Sequence, residues 1–261
     1  MAVAVTAPVS RVQFAASVIR VDGVYKAFKG QVLRGVSLEV PEACMYALIG
    51  PGASGKSVLL KAIAGLVAPE RGRVVVGGDE ITALDALALA EVRKGVGMLF
   101  QNYALFDFMT VGENIAFPLR RLFDLPESEV SARVAERLDR VALAGFESRD
   151  VRGLSGGQKK RVGIARATVA RPRILLYDEP TAGLDPVTSQ KIYNLIREEQ
   201  KAQGTTAVVI SSDVAGVLTV ADRVGMLHRG ELIFDGTVDE AKSSTEPAVR
   251  QFVHGLTEGP L

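Results

Sequence analysis

Short β-branched runs broken by glycine turns alternate with stretches of helical spacing along most of the chain. Residues 32–40 alternate roughly apolar and polar. Residues 46–49 form an apolar run ending at Gly50, residues 73–76 precede Gly77-Gly78, and residues 174–177 end at two acids. Thr206–Ile210 and the pair 224–227 and 231–234, divided by His228, Arg229 and Gly230, read as further strands, the last two as a hairpin. Val130, Val134, Leu138 and Val141 share one face of a helix expected over 127–142. Ile192, Leu195 and Ile196 do so over Pro186–Gln203, with Asp185 as cap and Pro186 in the first turn. This alternation predicts an α/β sheet. Residues 102–160 break the rhythm with mostly helical patterning and are expected to form a helical insert. From Thr237 onward the chain turns polar, although Val249, Phe252 and Val253 suggest that the tail docks.

Composition narrows the class. The 261 residues are 48% hydrophobic and 23% charged, which excludes a disordered, collagen-like or disulfide-stapled chain. With 31 basic against 30 acidic side chains the net charge is +1, which argues against a nucleic-acid partner. The single cysteine, Cys44, has no internal partner, and a reduced compartment fits it. No apolar run is long enough to span a bilayer. Residues 1–17 lack the basic head and unbroken apolar stretch of an export signal, so a cytoplasmic protein is expected.

The strand ending at Ile49 runs into G-P-G-A-S-G-K-S at positions 50–57 and then into Val58, Leu59 and Leu60. This is G-x-x-x-x-G-K-[ST] between a strand and a helix, the setting of a phosphate-binding loop. Glycines let backbone N–H groups close around phosphate oxygens, and the helix N-terminus adds a positive dipole end. Gly50, Gly52, Ala53, Ser54, Gly55, Lys56, Ser57 and Val58 are the candidate nucleotide-binding residues. Lys56 is expected to bridge the β- and γ-phosphates and the Ser57 hydroxyl to hold Mg²⁺. The run ending at Tyr177 delivers Asp178 and Glu179 to the carboxyl end of a buried strand, where ligands of open α/β sheets sit. Asp178 is the candidate for Mg²⁺ and Glu179 the candidate general base for an attacking water.

Leu154, Ser155, Gly156, Gly157 and Gln158 stand between these elements, followed by Lys159, Lys160, Arg161 and Val162. Here the chain resembles the nucleotide-binding subunits of ABC transporters, over roughly residues 18–236. The resemblance implies a RecA-like P-loop NTPase core with an antiparallel β edge and an inserted α-helical subdomain. It places a nucleotide-binding domain over 1–236 and a tail over 237–261. It also implies that Ser155, Gly156, Gly157 and Gln158 open a helix facing the γ-phosphate of ATP bound to a second such subunit, in a homodimer or beside a related chain. Gln101 resembles the glutamine that contacts Mg²⁺ and the attacking water, and Asp185, after Gly183 and Leu184, the loop that crosses the dimer interface. Phe28 falls where the family sets an aromatic against adenine. A core aromatic is the other reading, and Tyr25 is a weaker candidate for the role. The basic run 159–161 reads as a solvated helix face.

Looser strings, G-V-G-M-L-F-Q at 95–101, A-L-F at 104–106, N-I-A-F-P-L at 114–119, K-K-R-V at 159–162 and R-Q-F-V at 250–253, resemble the ATPases of the Mla and Mce-associated lipid transporters. That resemblance implies an integral membrane permease, an Mce-domain substrate-binding protein, a phospholipid or similar cargo, and a position on the inner face of the inner membrane. A groove near Gln101, lined by Tyr103, Leu105, Phe106 and Phe108, is the expected permease contact, with packing inside the insert as the alternative. Lys56 and Ser155 are 99 positions apart, too close for the long coiled-coil insert of DNA-repair relatives. Translation factors of this type carry two cassettes, and this chain has one.

The chain departs from the family in two places. Ser212 occupies the position of a histidine, next to Asp213, and a serine hydroxyl is shorter than an imidazole and holds no positive charge. Slow hydrolysis is expected, with a scaffold that only binds ATP as the alternative. His228 and His254 are expected at the surface and do not replace it. Ala43 and Cys44 stand where Gly-Glu is usual, a change expected to be local.

Overall fold

The structure is a computed structural model that describes residues 17–261. Residues 1–16, which hold nearly all of the start read above for an export signal, lie outside the described residues. Strands β1 (Ser17–Ala27), β2 (Gln31–Pro41) and β3 (Met45–Ile49) lead into helix α1 (Lys56–Ile63). Next come β4 (Arg71–Val76), β5 (Asp79–Glu80), α2 (Ala86–Lys94) and β6 (Val96–Leu99). Three helices, α3 (Val111–Leu122), α4 (Glu127–Arg140) and α5 (Gly156–Thr168), separate β6 from β7 (Ile174–Asp178). The chain continues through α6 (Pro186–Gln203), β8 (Thr206–Ile210), α7 (Val214–Val217), β9 (Arg223–His228), β10 (Glu231–Thr237), α8 (Val238–Lys242) and α9 (Pro247–His254).

One sheet has the order β10-β9-β3-β8-β7-β6, parallel except for the antiparallel edge strand β10. The other, β2-β1-β4-β5, is antiparallel throughout. Every residue of β3, β7 and β8 is buried. Their unbroken apolar runs are what a parallel strand covered on both faces requires. β2 packs on one face only and alternates. One core joins the helical insert and α6 to the parallel sheet through Ile115, Leu138, Ile164, Tyr177 and Ile196. A second fills the space between the two sheets and α1 with Leu33, Leu48, Leu60, Val74 and Ile210. The expected α/β core, antiparallel edge and helical insert are all present.

Among the elements absent from the sequence reading, β6 and α2 have local explanations. β6 is only four residues long and carries Gly97, whose hydrogen faces α5 so closely that a Cβ would sit 2.1 Å from the Ala167 carbonyl oxygen. A glycine in a short run weakens the strand signal while tertiary contact demands it. α2 has no buried residue, so its apolar spacing was weak. The polar segment after Thr237 forms α8 and α9, and Ala241 and Val249 enter the first core. Cys44 is buried as a free thiol and, by burial, is pushed up to about 12. None of the described helices is long and apolar enough to cross a membrane.

A buried charge cluster ties the insert to the core. Arg137 of α4 and Glu199 of α6 are both enclosed and paired, and Arg140 and Gln203 also donate to Glu199. Removing one partner of such a pair strands the other charge away from water. Glu199→Ala is expected to lower the unfolding free energy by about 3–5 kcal/mol in urea melts. Joint replacement by Arg137→Met and Glu199→Leu is expected to cost less than Glu199→Ala alone.

Candidate functional site

The turn after β3 is shaped by residues that only glycine tolerates well. Gly50 has φ 142°, and a Cβ there would lie 2.0 Å from the Leu227 carbonyl oxygen. Gly55, at φ 105°, caps α1 with no side chain bonded to the helix end. Ala53 adopts φ 58°, a cost for a residue with a Cβ. The β9–β10 hairpin backs this turn, where Gly230 N–H donates to the Ser54 carbonyl at 3.1 Å. Lys56 Nζ bends over its own loop and donates to the carbonyls of Gly50 and Pro51, both at 2.8 Å, and to Ser54 Oγ at 3.3 Å. Burial draws the Lys56 ammonium below the ordinary lysine value, opposed by Glu179 and Asp178.

The two carboxylates stand opposite. Ser57 Oγ donates to Asp178 Oδ1 at 3.0 Å, joining the first turn of α1 to the end of β7 across 121 positions of sequence. Burial raises the Asp178 carboxyl above its ordinary range, partly offset by the Ser57 hydrogen bond and reinforced by Glu179. Glu179 sits at φ 50° while its N–H donates to the Ile210 carbonyl at 3.0 Å, so the β7–β8 ladder extends through a left-handed residue. Ser212 donates to Glu179 Oε2 twice, from its N–H at 3.0 Å and its Oγ at 2.9 Å. The residue in the family's histidine position therefore reaches the acid directly.

At α5 the Ser155 hydroxyl accepts from Gln158 N–H while Gln158 Oε1 accepts from Ser155 N–H, a reciprocal cap. Ser155 and Gly156 are exposed at this helix start. Asp185 caps α6 one way only, accepting from Thr188 N–H at 2.9 Å, and hydrogen bonds from the Thr188 side chain and main chain hold its carboxyl below the usual range.

The family described as ABC transporter matches residues 33–182, more than half of the chain. The chain is 37% identical to the intermembrane phospholipid transport system ATP-binding protein MlaF of Escherichia coli, over 88% of this chain and 86% of that protein. It is 40% identical to a probable ribonucleotide transport ATP-binding protein of Mycobacterium leprae, covering 93% of this chain and 70% of the relative. The chain belongs to the ABC transporter family. It is an ATP-binding subunit of that family, and its fold matches solved ABC cassettes. The dimeric post-hydrolysis state of the cassette MJ0796 bound to ADP and Pi aligns with TM-score 0.79 and 30% identity, over 84% of this chain and 98% of that one.

The remaining residues of this ABC cassette fall into place unevenly. Phe28 is 62% exposed, with Lys26 Nζ 5.3 Å from its ring centroid, so it is not a core aromatic. Tyr25 is exposed as well. Gln101 is exposed, and its carbonyl rather than its side chain carries the contact with the neighbouring helix. A cavity of about 270 Å³ lies beside the loop after β6, but Gln101 does not line it and, of the four residues expected there, only Phe106 does. Phe106 lines it with Phe100, Phe117 and Leu122. Leu105 packs against the core, Tyr103 lies beneath Lys160, and Phe108, 82% exposed, stands out beside Phe106. The reading of 159–161 as a solvated face fails at Lys160, which is fully buried: the helical period turns it inward with Gly163, Ile164 and Ala167.

Three contributors lay beyond the nucleotide-binding motifs. Asn114, fully buried, accepts from Phe106 N–H and donates to the carbonyls of Phe106, Met109 and Thr110, knitting the aromatic loop. The Tyr193 hydroxyl bonds Thr181 Oγ at 2.9 Å and Ser211 Oγ at 2.6 Å, and so ties the turn after Glu179 to the turn holding Ser212. Burial pushes that phenol up to about 12. Arg166 donates to the Tyr103 and Ala104 carbonyls. Tyr193 and Arg166 leave no local signal, because their partners lie 12 to 63 positions away in sequence, whereas Asn114 bonds within its own loop.

The raised Asp178 carboxyl has a thermodynamic consequence. A carboxyl whose folded value lies above its unfolded one favours folding below its ordinary range, and that contribution is lost as pH rises through the raised value. At pH 7 the ionised group therefore weighs against the fold. Asp178→Asn is expected to raise the melting temperature of the nucleotide-free chain by a few degrees at pH 7, with the gain shrinking toward pH 4. Thermal melts across that range check it.

Proposed function

We propose that this subunit hydrolyses ATP slowly to power the movement of phospholipid or a similar hydrophobic molecule through a separate permease. The observation that carries the ATPase reading is the Ser57–Asp178 contact, with Glu179 in the next position. It sets a hydroxyl, a carboxylate and a candidate base at one edge of the sheet, beside a lysine-bearing phosphate loop. An all-oxygen donor pair of this kind suits Mg²⁺, which binds through one or two protein oxygens and the substrate's phosphates. Ser57 and Asp178 would hold the ion, with Gln101 near it, and bound Mg²⁺ would neutralise charge on the phosphate oxygens.

Lys56 and the Gly50–Gly55 backbone bind the triphosphate, and Phe28 supplies an exposed face for the base. Glu179 takes a proton from water as the water oxygen bonds the γ-phosphorus and the bond to the β-phosphate oxygen breaks, leaving ADP and phosphate. Ser212 occupies one oxygen of that carboxylate with two hydrogen bonds and presents no cation to the phosphate. This supports slow turnover. The exposed start of α5, with Ser155, Gly156, Gly157 and Gln158, supplies a helix end for the γ-phosphate on a second copy, and Asp185 lies at that face. ATP then holds a homodimer closed.

Lipid cargo is favoured by coverage. The alignment spans 86% of MlaF but 70% of the methionine import protein MetN of Caulobacter vibrioides, to which identity is 41%. The exposed Phe108 and the groove at Phe106 and Phe117 support docking of a permease. The subunit would then lie on the inner face of the inner membrane, with an Mce-domain protein as the further partner.

Glu179→Gln is expected to slow phosphate release by at least about 100-fold and to trap an ATP-bound dimer visible by light scattering. A monomer under saturating Mg-ATP would remove the sandwich reading. Ser212→His is expected to raise the rate several-fold, and an unchanged rate would count against the account of slow turnover. Phospholipid recovered with the membrane complex, against methionine or nucleotide, decides the cargo.

A further inference from the structure

The side chain of Lys160 is enclosed in the protein and lies in no nucleotide-binding motif. A buried ammonium needs its donors met, and these are met in an informative way. Nζ donates to the Glu179 carbonyl at 2.9 Å and to the Gln101 carbonyl at 3.3 Å, and lies 4.7 Å from the Tyr103 ring centroid. One side chain of α5 thus grips the main chain of both residues assigned to the attacking water.

The gripped segments are strained. Glu179 holds φ 50°, and Tyr103 and Ala104 hold φ 62° and 50°. Non-glycine residues keep such angles only where surrounding contacts over-determine them. For the loop, Arg166 adds donation to the Ala104 and Tyr103 carbonyls from the same helix. For Glu179, the Ile210 carbonyl takes its N–H, Ala182 N–H donates to its carbonyl at 3.3 Å, and Lys160 bonds the same carbonyl. The helix is seated tightly against the neighbouring strand: a Cβ at Gly163 would lie 2.5 Å from Leu99 Cδ1. α5 is therefore bonded directly to the loop that carries the Phe106 groove, and Lys160 connects that unit to Glu179.

We propose that Lys160 is a positioning residue for hydrolysis, holding the Glu179 main chain so that its carboxylate addresses the water, and coupling that placement to the aromatic loop after β6. This inference rests on the ATPase reading above.

The test is a mutant cycle on the 261-residue chain with Mg-ATP. Lys160→Met, of similar length and without donors, is expected to lower the single-turnover rate roughly tenfold to a hundredfold, the range for a small misplacement of a reacting group. The ATP Kd is expected to stay within about twofold, because the Lys160 hydrogen bonds go to Gln101 and Glu179 and not to the phosphate loop. In a Glu179→Gln background, where no base remains to be placed, Lys160→Met is expected to add nothing to the residual rate. Lys160→Arg, which restores a charged donor, is expected to recover part of the loss. An unchanged rate in Lys160→Met overturns the proposal, and so does an equal further loss in the Glu179→Gln background, the mark of general damage. If Lys160→Met loses its near-ultraviolet circular dichroism or ATP binding, Lys160→Gln is judged by the same two criteria. A wild-type chain that releases no phosphate, alone or with its permease, sinks the ATPase reading and this inference with it. Wild-type turnover with an indifferent Lys160 sinks this inference alone.

Discussion

Because β3, β8 and β7 run parallel in the register Met45↔Ala207 and Ile174↔Thr206, their carboxyl ends finish along one edge of the sheet. That alignment brings the phosphate loop, the acidic pair and Ser212 together. The phosphate loop leaves β3, Asp178 and Glu179 leave β7, and Ser212 leaves β8. Residues scattered over more than 150 positions then meet through hydrogen bonds of about 3 Å. Full burial of all three strands makes the register stiff, since a slip by one residue would exchange the faces packed against the two cores.

The same edge is where the chain departs from what stability alone would select. A carboxyl is buried beside a second carboxyl, a lysine is folded onto carbonyls of its own loop, and an acid is held in a left-handed conformation. Strain and buried charge concentrate at functional sites when the surroundings are rigid enough to enforce them. Here the enforcement comes from the β9–β10 hairpin behind the phosphate loop and from the Thr181–Tyr193–Ser211 hydroxyl chain behind the acids. Ser212 fits the same logic, standing where the family has an imidazole with a shorter donor that still finds the Glu179 carboxylate.

The helical insert is joined to this edge by charge as well as by packing. Arg137 and Arg140 fix α4 to α6 through Glu199, while Lys160 and Arg166 fix α5 to main-chain carbonyls of the loop after β6 and of Glu179. Long basic side chains suit the task because they cross several ångströms of apolar packing before presenting their donors. A displacement at the aromatic loop thus has a short, bonded route to the candidate base.

Much was determined by the sequence alone. The phosphate loop and the acidic pair are local strings, because backbone N–H groups and a strand end need fixed residue types at fixed spacing. The serine-glycine helix start is as local. The buried strands were equally legible, since a strand covered on both faces is apolar throughout. Only the tertiary structure decided the rest. That Lys160 points inward, that Ser212 touches Glu179, that Phe28 is exposed and that Phe117 replaces Leu105 in the groove all depend on which segments pack together. A side chain that bonds a carbonyl 19 or 59 positions away leaves no mark on its own neighbours in sequence, because any main-chain carbonyl offers the same acceptor.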